Sequence, residues 1–198
     1  MPRRWPEAGA GWASVAMLLA LVALASWRLP HEALDWQPAL AGREPWRTVT
    51  AVGVHYSVLH LVGNLIGVVI AGLFGVIARV PARLAWAWFA AWPLTQFGLL
   101  TRPDLMHFGG LSGVLHAGVA AVVVWVSLRG APAQRAVAAA IGGGLVVKLL
   151  LEQPWGEALR HPTGWGMATA PLAHTTGALA GAACAALALV MPQRASAA

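Results

Sequence analysis

The chain has 198 residues, of which 59% are hydrophobic and only 10% charged. A soluble domain carries about 25% charged residues, so seven acidic and thirteen basic side chains cannot coat a globule of this length, and its solvent is largely lipid. The net charge of +6 is scattered singly or in pairs rather than gathered in a stripe. That pattern argues against nucleic acid as a partner and for topology signals at membrane-span ends.

A bilayer-crossing helix needs about 20 apolar residues, and six segments are expected to serve: 12–27, 54–77, 84–100, 111–128, 136–151 and 171–191. The expected architecture is an all-α polytopic membrane protein. Residues 1–11 form a cytoplasmic N-terminus, 12–191 a six-helix domain, and 192–198 a short cytoplasmic tail. The first segment, preceded by Arg3 and Arg4 and ending in Ala23-Leu24-Ala25 before Ser26, also fits a cleavable signal peptide. A retained helix is expected.

With the N-terminus inside, Arg3, Arg4, Arg79, Arg83, Arg129, Arg135 and Arg194 are cytoplasmic, against Arg28, Arg43, Arg47, Arg102 and Arg160 outside. The bias of seven to five is small, but the inner turns are short and carry close basic pairs, where the positive-inside rule works best. The longer loops then face outward, and their Trp36, Trp46, Trp155 and Trp165 suit rings settling at the interface.

Polar groups inside spans are costly and tend to mark function. The second segment opens HYSVLHLVGN with His55, His60 and Asn64, the last two one turn apart on one face. They could equally hydrogen-bond neighbouring helices as packing glue. Before the fourth segment, Gly109 and Gly110 let an irregular loop descend, tolerable only where it lines an enclosed wet cavity. That segment opens with Ser112, followed by Gly113 and by His116 one turn on. A histidine stacked on the same helix wall is poorly placed to take the serine proton while its other nitrogen is oriented, so His116 is expected to support a site rather than act as its base.

In the fifth segment Lys148 and Glu152 are four apart and able to pair near the outer surface, as a structural or substrate-recognising pair. In the sixth, AHTTGALAG sets Gly177 and Gly181 three and seven residues after His174, on one face. Those glycines allow close approach to a neighbour, and Gly113 and Ala117 offer a matching side that would bring His174 to Ser112. Read alone, the motif is equally a helix-packing face with an incidental histidine. Cys184, the one cysteine, is expected to pack in an apolar run.

Together these pieces resemble the rhomboid family of intramembrane serine proteases. EPWR (44–47) is similar to its first-loop Trp-Arg motif, HYSVLHLVGN to its second-helix HxxxN signature, FGGLSG to its GxSG nucleophile motif and AHTTGALAG to its AHxxGxxxG motif. The small size, GLSGVLHAG and VKLLLEQ look most like the rhombosortase subfamily. The resemblance implies a rhomboid-like bundle of six transmembrane helices. In it Ser112 is the nucleophile, His174 the general base, and His60 and Asn64 form an oxyanion hole with the Ser112 backbone N–H. His55, Gly110, Gly113, His116, Gly177 and Gly181 support the site. No acidic third member is evident in the sixth segment, so a Ser–His dyad is expected, with no metal and no cofactor. The implied substrates are membrane-inserted segments in the lipid bilayer, above all secreted proteins with a C-terminal Gly-Gly motif, apolar helix and basic tail. The implied location is a bacterial inner membrane, with the site opening to the periplasmic side. Two other readings are an inactive rhomboid-like binder of membrane proteins and a b-type haem protein ligated by His55, His60, His116 or His174.

Overall fold

The computed structural model describes residues 9–161 and 168–191. Arg3, Arg4, Trp165, Arg194, the 192–198 tail and most of the 1–11 segment lie outside the described residues. The helices are α1 (Ala10–Ser26), α2 (His31–Leu34), α3 (Arg47–Thr50), α4 (Val58–Ile77), α5 (Ala82–Phe97), α6 (Ser112–Arg129), α7 (Pro132–Leu151) and α8 (Pro171–Val190). Six of them coincide with the six apolar segments, and the boundaries shift for local reasons. The second segment becomes helical only at Val58, because Ser57 is extended and its hydroxyl caps the His60 N–H at 3.1 Å. His55 therefore sits in the loop ahead of the helix. α7 begins a turn earlier than the apolar run, with Pro132 at its first position.

Among the described residues, α4, α6, α7 and α8 are long and apolar enough to cross a bilayer; α1 is a shorter apolar helix. α6 is the central helix, packed by α4, α5, α7 and α8. Lipid tails give helices no hydrophobic reason to prefer one another, so small residues and interhelical hydrogen bonds must hold them. Both are present. A Cβ built on Gly177 would land on the Gly113 carbonyl, and one on Gly181 on the Ala117 carbonyl, so α8 lies against the α6 backbone. Three indoles donate to carbonyls of facing helices: Trp12 to Ala71 at 2.9 Å, Trp88 to Val114 at 2.8 Å and Trp125 to Ala78 at 3.1 Å. Trp12 and Trp88 stack with centroids 4.3 Å apart, joining α1 and α5. By contrast α7 buries only Ala138 and leaves the rest of its length outside the core.

The long loop between α1 and α4 is folded over one end of the bundle. Its anchor is Arg47, which bonds Glu44 at 2.5 Å and the Glu32 and Asp35 carbonyls at 2.8 and 2.9 Å. The expectation that Trp36 would rest at the membrane interface is corrected. Trp36 is fully buried in a second apolar cluster with Leu99, Leu105, Phe108 and Ala173, because the loop covers the bundle end and the ring fills the space beneath it. Trp46 and Trp155 are exposed, as expected of interface rings.

Candidate active site

The loop pairs in antiparallel fashion with the segment ahead of α6. Trp36 N–H donates to the Phe108 carbonyl at 2.7 Å, Phe108 N–H returns to Trp36 at 2.9 Å, and Gly110 N–H donates to Ala51 at 2.9 Å. Gly110 is required here twice over. Its φ of 127° is disfavoured for other residues, and a Cβ would meet His60 Nε2 at 2.6 Å and Asn64 Nδ2 at 3.5 Å. The tip of the His60 ring and the Asn64 amide thus converge on the backbone two residues before Ser112. Among the described residues, Asn64 Nδ2 is buried without a hydrogen-bond partner beside that backbone.

Ser112 opens α6 and His174 lies in the first turn of α8. The contact of α6 with α8 brings their side chains together: Ser112 Oγ is 2.9 Å from His174 Nε2. On its far side His174 Nδ1 lies 2.7 Å from Glu152 Oε2, at the C-terminal end of α7. Lys148 Nζ pairs with the other Glu152 oxygen at 2.6 Å and lies 3.4 Å from His174 Nδ1. Lys148 and an Nδ1–H cannot both donate to each other. The shorter carboxylate contact decides the arrangement: Nδ1–H donates to Glu152, Lys148 donates to Glu152, and Nε2 is left as the acceptor for the serine hydroxyl.

Burial by itself pushes the Glu152 carboxyl up; the His174 hydrogen bond and charge, then Lys148, outweigh it and hold the group down to about 2. The carboxylate is therefore charged at any working pH. The sequence paired Glu152 with Lys148 alone; the sixth segment indeed carries no acidic residue, and the carboxylate beside His174 comes from the end of α7 instead. Nothing in the spacing of the two residues reveals it, because they are 22 apart in sequence and lie on different helices.

His116 lies against His174 rather than at the Ser112 hydroxyl. Its Nδ1 donates to the Ser112 carbonyl at 2.6 Å, and its ring stacks on His174 with centroids 4.3 Å apart and planes 15° from parallel. His55 donates through Nδ1 to the Gly53 carbonyl at 3.2 Å and packs its ring against His60 at 4.8 Å. Stacked rings leave no space for a porphyrin between His116 and His174, which removes that pair from the haem reading.

The structure is that of a helical membrane protein with a serine and a histidine joined at one end of its bundle, beneath a folded loop. The chain belongs to the rhomboid family, intramembrane serine proteases as a class: the Rhomboid domain matches residues 42–191. Over 41 residues it is 44% identical to RHOMBOID-like protein 6, mitochondrial, of Arabidopsis thaliana. That stretch covers 21% of this chain and 13% of the relative. No solved structure gives a significant match.

Proposed function

We propose that the protein is an active intramembrane serine endopeptidase in which Ser112 and His174 carry the bond chemistry. The observation that carries this reading is the 2.9 Å contact between Ser112 Oγ and His174 Nε2. His174 Nε2 takes the hydroxyl proton as Oγ bonds to the substrate carbonyl carbon. The resulting oxyanion is received by His60, Asn64 and the Ser112 N–H. The carbon–nitrogen bond then breaks and the leaving amine takes the proton from Nε2. Water reverses the sequence: its proton passes to Nε2, its oxygen bonds to the acyl carbon, and the Oγ–carbon bond breaks with the proton returning to Ser112.

The substrate is a membrane-inserted segment. The subfamily resemblance favours secreted proteins ending in a Gly-Gly motif, an apolar helix and a basic tail. Six transmembrane crossings and an inner-membrane location complete the reading. Ser112 starts α6 at the end opposite Arg129, and the Arg79–Arg83 and Arg129–Arg135 turns belong to that opposite end. With the basic turns inside, the site opens to the periplasm.

The test is co-expression with a tagged secreted reporter carrying a Gly-Gly, helix and basic tail, comparing wild type with Ser112→Ala and His174→Ala. Wild type trims the tail and both variants lose trimming. Full trimming by both variants would refute the mechanism. Cleavage by wild type of another transmembrane reporter, with the Gly-Gly tail left intact, would refute only the substrate class.

A further inference from the structure

Resting on that reading of Ser112 and His174, we infer that Glu152 is a positioning residue for the reaction, and that Lys148 is held away from His174 by the same carboxylate. The geometry has three parts. Glu152 Oε2 receives His174 Nδ1 at 2.7 Å on the side of the ring away from Ser112. Glu152 Oε1 receives Lys148 Nζ at 2.6 Å. The end of α7 is itself tied down, because Arg160 donates to the Glu152 carbonyl at 3.0 Å and pairs by backbone with Thr169, just ahead of α8.

A neutral imidazole has one N–H, and only the tautomer with Nδ1–H leaves Nε2 free to accept the serine proton. A carboxylate on Nδ1 can only accept, so it selects that tautomer, aims the ring, and faces the imidazolium formed when Ser112 Oγ bonds to substrate. An ammonium on Nδ1 can only donate. It would select the opposite tautomer, place the proton on Nε2 and block the base. Lys148 stands 3.4 Å from Nδ1, so Glu152 both supplies the correct partner and occupies the wrong one. The other titratable groups facing His174 do not compete for Nδ1: His116 stacks on its face from α6, and His60 approaches from α4.

The experiment uses a fluorophosphonate, which reads the chemistry without a known substrate. Its phosphorus bonds to Ser112 Oγ as fluoride leaves and the hydroxyl proton passes to His174 Nε2. The detergent-solubilised full chain is compared with Glu152→Ala, Glu152→Gln, Glu152→Asp, Lys148→Ala and the Lys148→Ala/Glu152→Ala pair, with thermal midpoints measured alongside. Glu152→Ala is expected to slow labelling at least about 100-fold, in the limiting rate rather than in reagent affinity, since an amide in place of the acid costs about 10⁴ in the serine triad template. Three orderings are expected and a merely structural carboxylate would not produce them. Glu152→Asp recovers part of the rate, Glu152→Gln is no faster than Glu152→Ala, and the double variant labels faster than Glu152→Ala.

Wild-type rates in Glu152→Ala and Glu152→Gln would overturn the inference. So would a double variant no faster than Glu152→Ala together with no recovery in Glu152→Asp. Ser112→Ala and His174→Ala separate the two levels: if wild type is not labelled, or either variant is labelled like wild type, the proposed function itself falls. If both are unlabelled and the Glu152 variants match wild type, only the role of Glu152 falls.

Discussion

Gly177→Ala adds one methyl group, and the structure says where it goes. Its Cβ would lie on the Gly113 carbonyl, inside the roughly 3.0 Å that such atoms essentially never cross. Gly113 follows Ser112 and Gly177 is three residues after His174, so the separation of α8 from α6 at this point sets the hydrogen bond between them. The obstacle is backbone, which cannot rotate aside like a long side chain, so α8 must retreat by about 1 Å. The 2.9 Å contact between Ser112 Oγ and His174 Nε2 then exceeds hydrogen-bond reach. A misplacement of that size costs about 10²-fold in rate. The assay is the fluorophosphonate labelling rate of Ser112 in Gly177→Ala, with Gly143→Ala on α7 as control, where a Cβ meets nothing within 4 Å. We expect a loss near 100-fold in the first and wild-type labelling in the second. Wild-type labelling in Gly177→Ala, with the fold intact by thermal unfolding, would show that helix contact does not set the site.

Other outcomes follow from the same geometry. Asn64→Ala should lower the limiting rate of tail trimming by about 10²–10³ with little change in KM, the cost of losing one oxyanion donor; a change confined to KM would remove Asn64 from that role. Glu152, ordinarily near 4.5 and held at about 2 in the fold, contributes stability that is complete above its unfolded value and lost as pH falls toward the folded one. Thermal midpoints should therefore drop more steeply on acidification through that window in wild type than in Glu152→Gln; parallel curves would contradict the pairing. Asp35 is buried and binds Arg47 at 3.3 Å, His107 at 2.7 Å and Tyr56 at 3.3 Å; Arg47 keeps Glu44 and two carbonyls without it, so Asp35→Ala should destabilise the protein by about 1–3 kcal/mol, the cost of removing a buried charged acceptor from its donors. Equilibrium unfolding in detergent measures it, and a loss under about 1 kcal/mol would refute the argument.

The helices were readable because lipid imposes a strong compositional signal, whereas the apolar runs misplaced the starts of α4 and α7 by four residues each, where Ser57 and Pro132 set them. Ser112 facing His174 was readable through the glycines at 113, 177 and 181, whose spacing encodes a face and whose size encodes an approach. Three features were not readable. Trp36 looked like an interface ring because its burial depends on a loop folding back, which periodicity does not report. Asp35 and His107 are 72 residues apart and share no motif. Glu152 carried a local signal, the i,i+4 partner Lys148, that accounted for its charge and hid its second contact.

That loop contributes no reacting atom, yet the site depends on it. The chain leading to Ser112 runs without regular structure, and every N–H or carbonyl buried there without a partner would be expensive. The loop meets that demand in three places. Trp36 exchanges both backbone hydrogen bonds with Phe108, Ala51 accepts from Gly110, and Asp35 holds the His107 ring. Arg47 in turn fixes the loop by binding the carbonyls of Glu32 and Asp35. With the approach to Ser112 satisfied in this way, Gly110 can take its left-handed conformation against the His60 ring and the Asn64 amide. The first-loop Trp-Arg motif and the serine motif, more than sixty residues apart, are therefore coupled: Arg47 sets the loop, and the loop pairs the backbone of the irregular segment that leads into Ser112.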